Sequence, residues 1–245
     1  MTTSTPRWAS HPVSVCGESR LRLNTATAKS WGRRWLREIQ PGINVHDFTD
    51  QQGELVSRYT NWTLFFFFQN GGLFGTGSNG SLENLSDPFN IHPTTTIMAG
   101  SHDFREHFVR FATDSSRTLS FSGRAASGSF YSGNSFNVNI NGALKLGPRL
   151  TTEVSWNYND IDLEEGDFTT NQFASRVKYS FSTTMFLDAL VQYNSVVQEW
   201  NSNIRFNVIH RPLSDFFLVY NERRDESGRR IDRALIAKFT YLLDF

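Results

Sequence analysis

Strict alternation of apolar and polar residues recurs along most of the chain after residue 30, and it constrains the fold more than any other feature. In residues 231–245, every second residue from Leu235 onward is apolar, and the opposite face of the segment includes Asp232, Lys238 and Asp244. Consecutive side chains of a β-strand point to opposite faces, so this period of two predicts strands with one apolar and one polar face. The sequence therefore predicts an all-β protein.

The alternating segments number about twelve, and most are close to the 9–11 residues of a membrane-spanning strand. Short turns such as 146–149 alternate along the chain with mostly longer connections such as 81–103, 129–134 and 161–169. This pattern is typical of bacterial outer-membrane barrels. We therefore expect residues 31–245 to form an antiparallel transmembrane β-barrel, or the C-terminal part of a larger one. The predicted strands are 33–47, 53–68, 72–80, 104–113, 118–128, 135–145, 150–160, 170–181, 185–194, 199–210, 215–222 and 231–245.

Alternation alone does not separate a membrane barrel from a soluble β-sandwich or barrel, since all of them have a period of two. Two features favour the membrane barrel. The apolar positions are rich in Phe, Tyr and Trp near strand ends, as in the aromatic girdles of membrane barrels, and the polar positions carry bulky Asn, Arg, Glu and Lys, which suit a wet lumen. A soluble all-β binding module is the alternative fold.

Composition narrows the function classes. The chain has 24 basic and 24 acidic residues, whereas a nucleic-acid-binding domain is usually basic. Cys16 is the single cysteine, so the chain forms neither an internal disulfide nor a cysteine-based metal cage. No run approaches the roughly 18 apolar residues of a membrane-spanning helix, but a barrel satisfies its backbone groups between strands and needs none.

The first 30 residues differ from the rest. They include Arg7, Arg20, Arg22 and Lys29, but no continuous apolar core of the kind that a signal peptide carries. We assign residues 1–30 to no domain and expect them to be a disordered N-terminal segment. Because a barrel of this class is exported, we expect the chain to be a fragment of a longer precursor.

The second half of the chain carries recognisable stretches. Residues 211–223 read RPLSDFFLVYNER, with further matching stretches at 166–170, 191–194 and 232–238. Over about residues 35–245 the chain resembles a family of bacterial outer-membrane β-barrel proteins of unknown function. Members commonly carry an N-terminal domain similar to carbohydrate-binding module family 9. The resemblance implies a barrel that holds such a domain, absent from this chain, and a link to carbohydrate binding or uptake through it.

The last eight residues look like the signal that the barrel-assembly machinery reads. Lys238 takes the polar place, Tyr241 and Leu243 take apolar places, and Phe245 is the terminal aromatic residue, while Thr240 stands where glycine is usual. We expect this end of the chain on the periplasmic side of the outer membrane. The connection 223–230 is then extracellular.

Asparagine recurs at the polar positions of the predicted strands and is expected to face the lumen. These side chains could hydrogen-bond sugars that pass through the barrel, or simply hydrate and bridge its wall, and the second interpretation is the simpler one. The asparagines are Asn137, Asn139, Asn141, Asn157, Asn201, Asn203 and Asn207.

Two charged stretches are candidate ligand sites. The acidic residues within 160–167 could hold Ca²⁺, which binds several carboxylate oxygens, but they lack EF-hand spacing, and a solvated loop is the simpler interpretation. Residues 222–230 mix arginine with acidic residues and could contact lipopolysaccharide phosphates. A salt-bridged, solvated loop explains them equally well without a ligand.

Ser101, His102 and Asp103 follow one another directly, but adjacent residues of a strand face opposite ways and do not make a catalytic triad. The sequence thus predicts no catalytic residue, cofactor or metal site. We expect a non-enzymatic outer-membrane pore, anchor or binding scaffold in contact with membrane lipid and lipopolysaccharide. A glycan is a candidate ligand, and nucleic acid is not. A barrel-borne outer-membrane hydrolase that depends on Ser101 or His107 is the alternative.

Overall fold

A computed structural model describes residues 17–24, 28–29, 34–211 and 213–242. This part of the chain consists of β-strands joined by turns and contains no helix. Its strands are β1 (Gly17–Asn24), β2 (Ala28–Lys29), β3 (Leu36–Thr49), β4 (Leu55–Phe68), β5 (Leu73–Leu85), β6 (Phe89–His92), β7 (Thr95–Ile97), β8 (Gly100–Ala112), β9 (Leu119–Phe130), β10 (Gly133–Leu146), β11 (Leu150–Leu163), β12 (Gly166–Ser180), β13 (Met185–Asn194), β14 (Glu199–Arg211), β15 (Ser214–Asp225) and β16 (Arg230–Thr240).

Twelve long strands form one antiparallel sheet in the order β3-β4-β5-β8-β9-β10-β11-β12-β13-β14-β15-β16. They are the twelve strands that the alternation predicts, with ends that differ by a few residues. The short strands β6 and β7 form a separate hairpin within the connection from β5 to β8. The predicted all-β, antiparallel architecture is confirmed.

The two edges of this sheet differ. β1 and β2 both pair with β3, on the side away from β4, so part of the segment left unassigned by the sequence lies along this edge. At the other edge β16 pairs with β15, and no ladder among the described residues joins β16 to β1 or β3. The described ladders therefore form an open sheet.

The strand register assigns every side chain to one of two faces. Ile140, Trp156 and Phe173 lie opposite one another on β10, β11 and β12, and they define the apolar face. Asn139 and Asn157 lie opposite each other on the other side and define the polar face. Because a strand alternates strictly, these pairs fix the face of each residue along the three strands.

Apolar side chains on the apolar face are exposed. Val154, in the middle of β11, is 39% exposed, and Leu235 on β16 is 69% exposed. Among the described residues, the buried apolar side chains number six, and Phe108, Ala126 and Ile161 of these lie on the polar face. No second layer covers the apolar face in the described part of the chain.

We name the two ends of the sheet by their connections. The turn end carries the connections at 69–72, 113–118, 147–149, 181–184 and 212–213, and the loop end carries those at 50–54, 86–99, 131–132, 164–165, 195–198 and 226–229. Glycines at two of the turn-end connections, Gly71 (φ +82°) and Gly147 (φ +63°), adopt the left-handed conformation that glycine allows without strain.

The predicted lengths of two loop-end connections are wrong. Residues 129–134 and 161–169 were expected to be longer loops, but the strands run on to two-residue turns at 131–132 and 164–165. The extension of β11 and β12 into 161–169 is stabilised by apolar packing, since Ile161, Leu163 and Phe168 join a cluster with Ile97 of the β6–β7 hairpin. Among the loop-end connections, only 86–99 is long.

At the loop end the apolar face also carries charged residues. Asp47 and Arg58 form an ion pair there at 2.7 Å, and Asp103 and Asp160 occupy apolar-face positions near the ends of β8 and β11. At the turn end, apolar and aromatic residues continue up to the connections, as Phe181 shows. The apolar surface is therefore displaced toward the turn end.

Gly128 on β9 should be intolerant of any side chain. A Cβ at this position would lie 2.0 Å from the Arg105 carbonyl oxygen and 2.6 Å from Glu106 Cα, and backbone atoms do not move aside cheaply. A Cβ at Gly142 would meet only the Phe121 ring, at 3.3 Å. We expect Gly128→Ala to lower the free energy of unfolding by about 1–3 kcal/mol relative to Gly142→Ala.

Urea unfolding of the two variants, followed by far-UV circular dichroism, measures this difference. Equal unfolding midpoints would contradict the close approach of β8 and β9 at Gly128.

Candidate functional site on the polar face

A chain of hydrogen-bonded side chains crosses the polar face at right angles to the strands. Asn44 donates to Asn61 at 3.3 Å, Asn61 donates to Asn79 at 2.6 Å, and Asn79 donates to Glu106 Oε1 at 2.6 Å. Arg124 completes the row by an ion pair with Glu106. An asparagine amide both donates and accepts, so it can stand in the middle of such a row. The row links β3, β4, β5, β8 and β9.

Further polar pairs continue across the rest of this face. Their members are side chains of neighbouring strands, and the ion pairs among them neutralise charges that would otherwise face one another. They are Asn139 with Asn157, Arg176 with Asp188, Lys178 with Glu153, Asn203 with Asn221, and Arg223 with Asp232 and Glu199.

The asparagines expected to face the lumen all lie on this polar face. Asn141 donates to Asn139 at 2.6 Å, and Asn207 is buried with an Oδ1 atom that lacks a hydrogen-bond partner. Asn201 and Asn203 line a cavity of about 500 Å³ near the free edge of the sheet, which we call the edge cavity. Its other lining residues include Leu190, Gln192, Asn221, Arg223, Asp232 and Ala234.

A second cavity, of about 200 Å³, lies on the same face near the loop end, and we call it the hairpin cavity. Its lining residues come from six consecutive strands of the sheet, β4 to β11: Tyr59, Asn79, Ser81, Phe104, Glu106, Ser129, Phe130, Ser135, Asn137 and Ile161. Tyr59 and Ile161 bound one cavity although five strand spacings, roughly 24 Å along the sheet, separate them. The sheet therefore curls around its polar face.

The β6–β7 hairpin packs onto the polar face instead of extending away from it. Ile97 is fully buried in a cluster with Ile161 and Leu163. Partly buried residues surround these three: Leu85, Ile91, Phe130, Tyr131 and Phe168. These contacts hold the connection 86–99 across the loop end of the sheet.

Aromatic and polar contacts reinforce this packing. The His92 ring stacks on Phe168 with centroids 4.4 Å apart, and His102 Nε2 lies 3.0 Å from the Met98 carbonyl oxygen. Tyr131, in the turn after β9, donates its hydroxyl to Glu83 Oε2 at 2.7 Å. Burial and the Glu83 carboxylate raise the pKa of Tyr131, so the phenol stays protonated and keeps donating.

The structure separates Ser101, His102 and Asp103 between the two faces of β8. His102 lies on the polar face, where its ring meets that of Tyr131 edge-on at 5.2 Å, while Ser101 and Asp103 lie on the apolar face. Among the described residues, no group of three or more His, Cys, Asp or Glu side chains is placed to hold a metal ion. In the acidic stretch, Glu165 accepts a hydrogen bond from Ser132.

The mixed-charge stretch at the loop end is paired internally. Arg223 lies 2.7 Å from Asp232, Arg229 lies 3.1 Å from Asp225, and Arg224 pairs with a neighbouring carboxylate. Ser227 and the backbone and side chain of Arg229 donate to Asp225. Arg223, Arg224 and Arg229 are thus held by carboxylates of the same loop and its neighbouring strands.

The structure describes only part of the expected assembly signal. Lys238 lies on the polar face of β16, and Tyr241 follows the strand with its ring under the Arg211 guanidinium, 4.9 Å away. Leu243 and Phe245 lie outside the described residues.

The sequence does not predict the hairpin cavity or the β6–β7 hairpin that packs beside it. The sequence predicts one connection over 81–103, because β6 and β7 are too short for a period-two pattern to be recognised. A signal was present for Phe104, which shares its alternation with Glu106 and so had to lie on the polar face.

No helix in the described part of the chain is long and apolar enough to cross a membrane. The chain matched no protein-family model, no curated protein and no solved structure.

Ile97→Ala should release the hairpin from the polar face. The substitution removes most of a fully buried side chain, and such truncations cost about 2–5 kcal/mol in a packed cluster. Met98→Ala, next to it in sequence, truncates a side chain that is 61% exposed and should have little effect. Hydrogen exchange of the amides in residues 89–97 reports the change, and equal protection in the two variants would contradict the packing described above.

Proposed function

We propose that this sheet is the wall of an outer-membrane β-barrel, or part of one, and that its polar face serves hydrophilic solutes as a passage or binding surface without chemistry of its own. The observation that carries the proposal is the pairing of an exposed apolar face with a hydrogen-bonded polar face on a single sheet. Soluble monomers rarely expose contiguous apolar patches larger than a few hundred Å².

The dimensions of the apolar face support this proposal. Apolar-face positions from Trp200 to Val208 extend about 27 Å along β14 at the usual strand rise. Twelve strands about 4.8 Å apart make this surface roughly 58 Å wide. A soluble sandwich covers such a face with a second sheet, whereas lipid covers it in a membrane barrel.

An aromatic row supports a membrane interface. The apolar-face residues Trp156, Phe173, Tyr193 and Trp200 lie opposite one another on four consecutive strands. The rings of Tyr193 and Trp200 lie 4.8 Å apart. Amphipathic aromatic side chains favour the boundary between lipid tails and head groups. We assign this row to the girdle on the loop side.

The polarity of the two ends supports an orientation. The charged apolar-face residues at the loop end, such as Asp47 and Arg58, fit strands that protrude from the membrane into water. We therefore propose that the loop end is extracellular and the turn end periplasmic. β16 runs toward the turn end, so its last residues, with Lys238 and Tyr241, reach the side on which the barrel-assembly machinery would read them.

The free edge of β16 supports closure in the membrane. Among the described residues, its backbone donors and acceptors have ladder partners on one side only, and lipid offers none. We infer that this edge is paired when the sheet lies in a bilayer. The family resemblance adds a proposed glycan partner, and the loop-end arginines add a proposed contact with lipopolysaccharide.

Val154→Arg and Ser155→Arg test the assignment of the faces. The two residues are neighbours on β11, with Val154 on the apolar face and Ser155 on the polar face. In a bilayer we expect Val154→Arg to destabilise the folded state by about 1–3 kcal/mol, because Val154 lies about 7 Å inside the aromatic row at Trp156, between the interface and the midplane. Ser155→Arg should insert and fold like the parent, because its face is wet.

The measurement is gel migration with and without heating after refolding into lipid vesicles, since a folded barrel migrates differently from its heated form. If both variants fold equally, the face assignment is wrong. A parent chain that shows no heat-dependent migration and stays monodisperse without detergent would overturn the membrane proposal in favour of a soluble binding module.

A further inference from the structure

Two opposite sides of the hairpin cavity are fixed by contacts with neighbouring side chains. Phe130 and Ile161 line the cavity and also belong to the apolar cluster that holds the β6–β7 hairpin. The cluster therefore fixes one side of the cavity. The row from Asn44 to Arg124 fixes the opposite side, because Asn79 and Glu106 belong to both the row and the lining.

Three aromatic side chains line this cavity: Tyr59, Phe104 and Phe130. Their positions are held by other rings. Phe104 meets Phe130 edge-on at 5.3 Å and also lies 4.9 Å from Tyr131. On the far side, the His46 ring meets Tyr59 edge-on at 6.4 Å. The cavity thus offers rigid apolar surfaces to a ligand that has an apolar side.

Hydrogen-bonding groups stand between these rings. Asn137 makes one long hydrogen bond, from its Nδ2 atom to Ser135 Oγ at 3.4 Å, so its amide keeps the capacity to bind a ligand. The Ser81 and Ser135 hydroxyls and the Tyr59 phenol also line the cavity. An amide and hydroxyls both donate and accept, which matches ligand hydroxyl groups.

The cavity carries no unbalanced charge. Glu106 is the one carboxylate of its lining, and Arg124 pairs with it while Asn79 donates to the same oxygen. Arg124 is itself held over the Phe108 ring at 4.9 Å. A charged ligand would lose hydration here without gaining an opposite charge, whereas a neutral ligand loses less.

We propose that the hairpin cavity binds one unit of a neutral polyhydroxylated solute of hexose size. The carbon–hydrogen side of the ring packs on Phe104 and Phe130, and its hydroxyls bind Asn137 and the serines. The inference deepens the proposed function, because it names a solute class for the polar face. It places the site beside the cluster that holds the β6–β7 hairpin, and not in the larger edge cavity.

Two cavity variants and one matched control test the proposal. Phe104→Leu removes the aromatic surface and keeps an apolar side chain, and Asn137→Ala removes the amide. Gln172→Ala removes an amide from the polar face of β12, outside the cavity lining. The 245-residue chain, folded in detergent micelles, is titrated with glucose, and binding is followed by saturation-transfer-difference NMR.

We expect saturable glucose binding by the parent and by Gln172→Ala. Each cavity variant should bind about ten-fold more weakly, the loss that corresponds to one hydrogen bond or one stacking surface of about 1.4 kcal/mol. Glucuronate and protonated glucosamine, which have nearly the same size and carry a charge, should bind more weakly than glucose.

Absence of saturable glucose binding to the folded parent overturns the proposal. So does glucose binding that both cavity variants keep, or charged analogues that bind as tightly as glucose. Heat-dependent migration of the same samples reports the membrane barrel separately. If the protein shows heat-dependent migration but does not bind glucose, this site alone is refuted. If it binds glucose without such migration, only the membrane proposal is refuted.

Discussion

The two faces of this protein depend on an uninterrupted register between neighbouring strands. A slip of one residue anywhere in the ladder would carry apolar side chains to the polar face and polar ones to the apolar face. From β4 to β14 the pairings in the main sheet run without a shift, and the bulges near Leu36, Thr49, Arg211 and Arg224 fall in the ladders β3–β4, β14–β15 and β15–β16. The apolar face, the polar rows and both cavities follow from that continuity.

Much of this architecture could be predicted because it follows from the residue pattern within each strand. Phe136, Val138 and Ile140 alternate with asparagines within a single strand, so neither the strand nor its faces required knowledge of distant residues. The placement of Asn137 and Asn203 on the polar face follows from the same pattern. Alternation assigns each residue of a strand to one of two faces, and the assignment is clearest in long strands.

The loop end escaped prediction because its structure depends on distant partners. Ile97 meets Ile161 and Leu163, more than sixty positions further along the chain, and no local period announces that contact. The acidic residues within 160–167 favoured a loop, yet the ladder runs on to the pair of Leu163 and Gly166. Phe104 belonged to the polar face by alternation, but its role beside the cavity needed the curvature of the sheet.

The direction of β1 limits how any ring built from these strands can close. β1 pairs antiparallel with β3, and each later strand of the sheet reverses the one before it. Counting these reversals, β1 and β16 run the same way, from the loop end to the turn end, whereas β3 and β16 run in opposite directions. A seam through β1 would thus introduce one parallel pair into an antiparallel wall. A seam through β3 would keep every pair antiparallel, but β1 and β2 occupy the edge that it needs, so the two seams exclude each other.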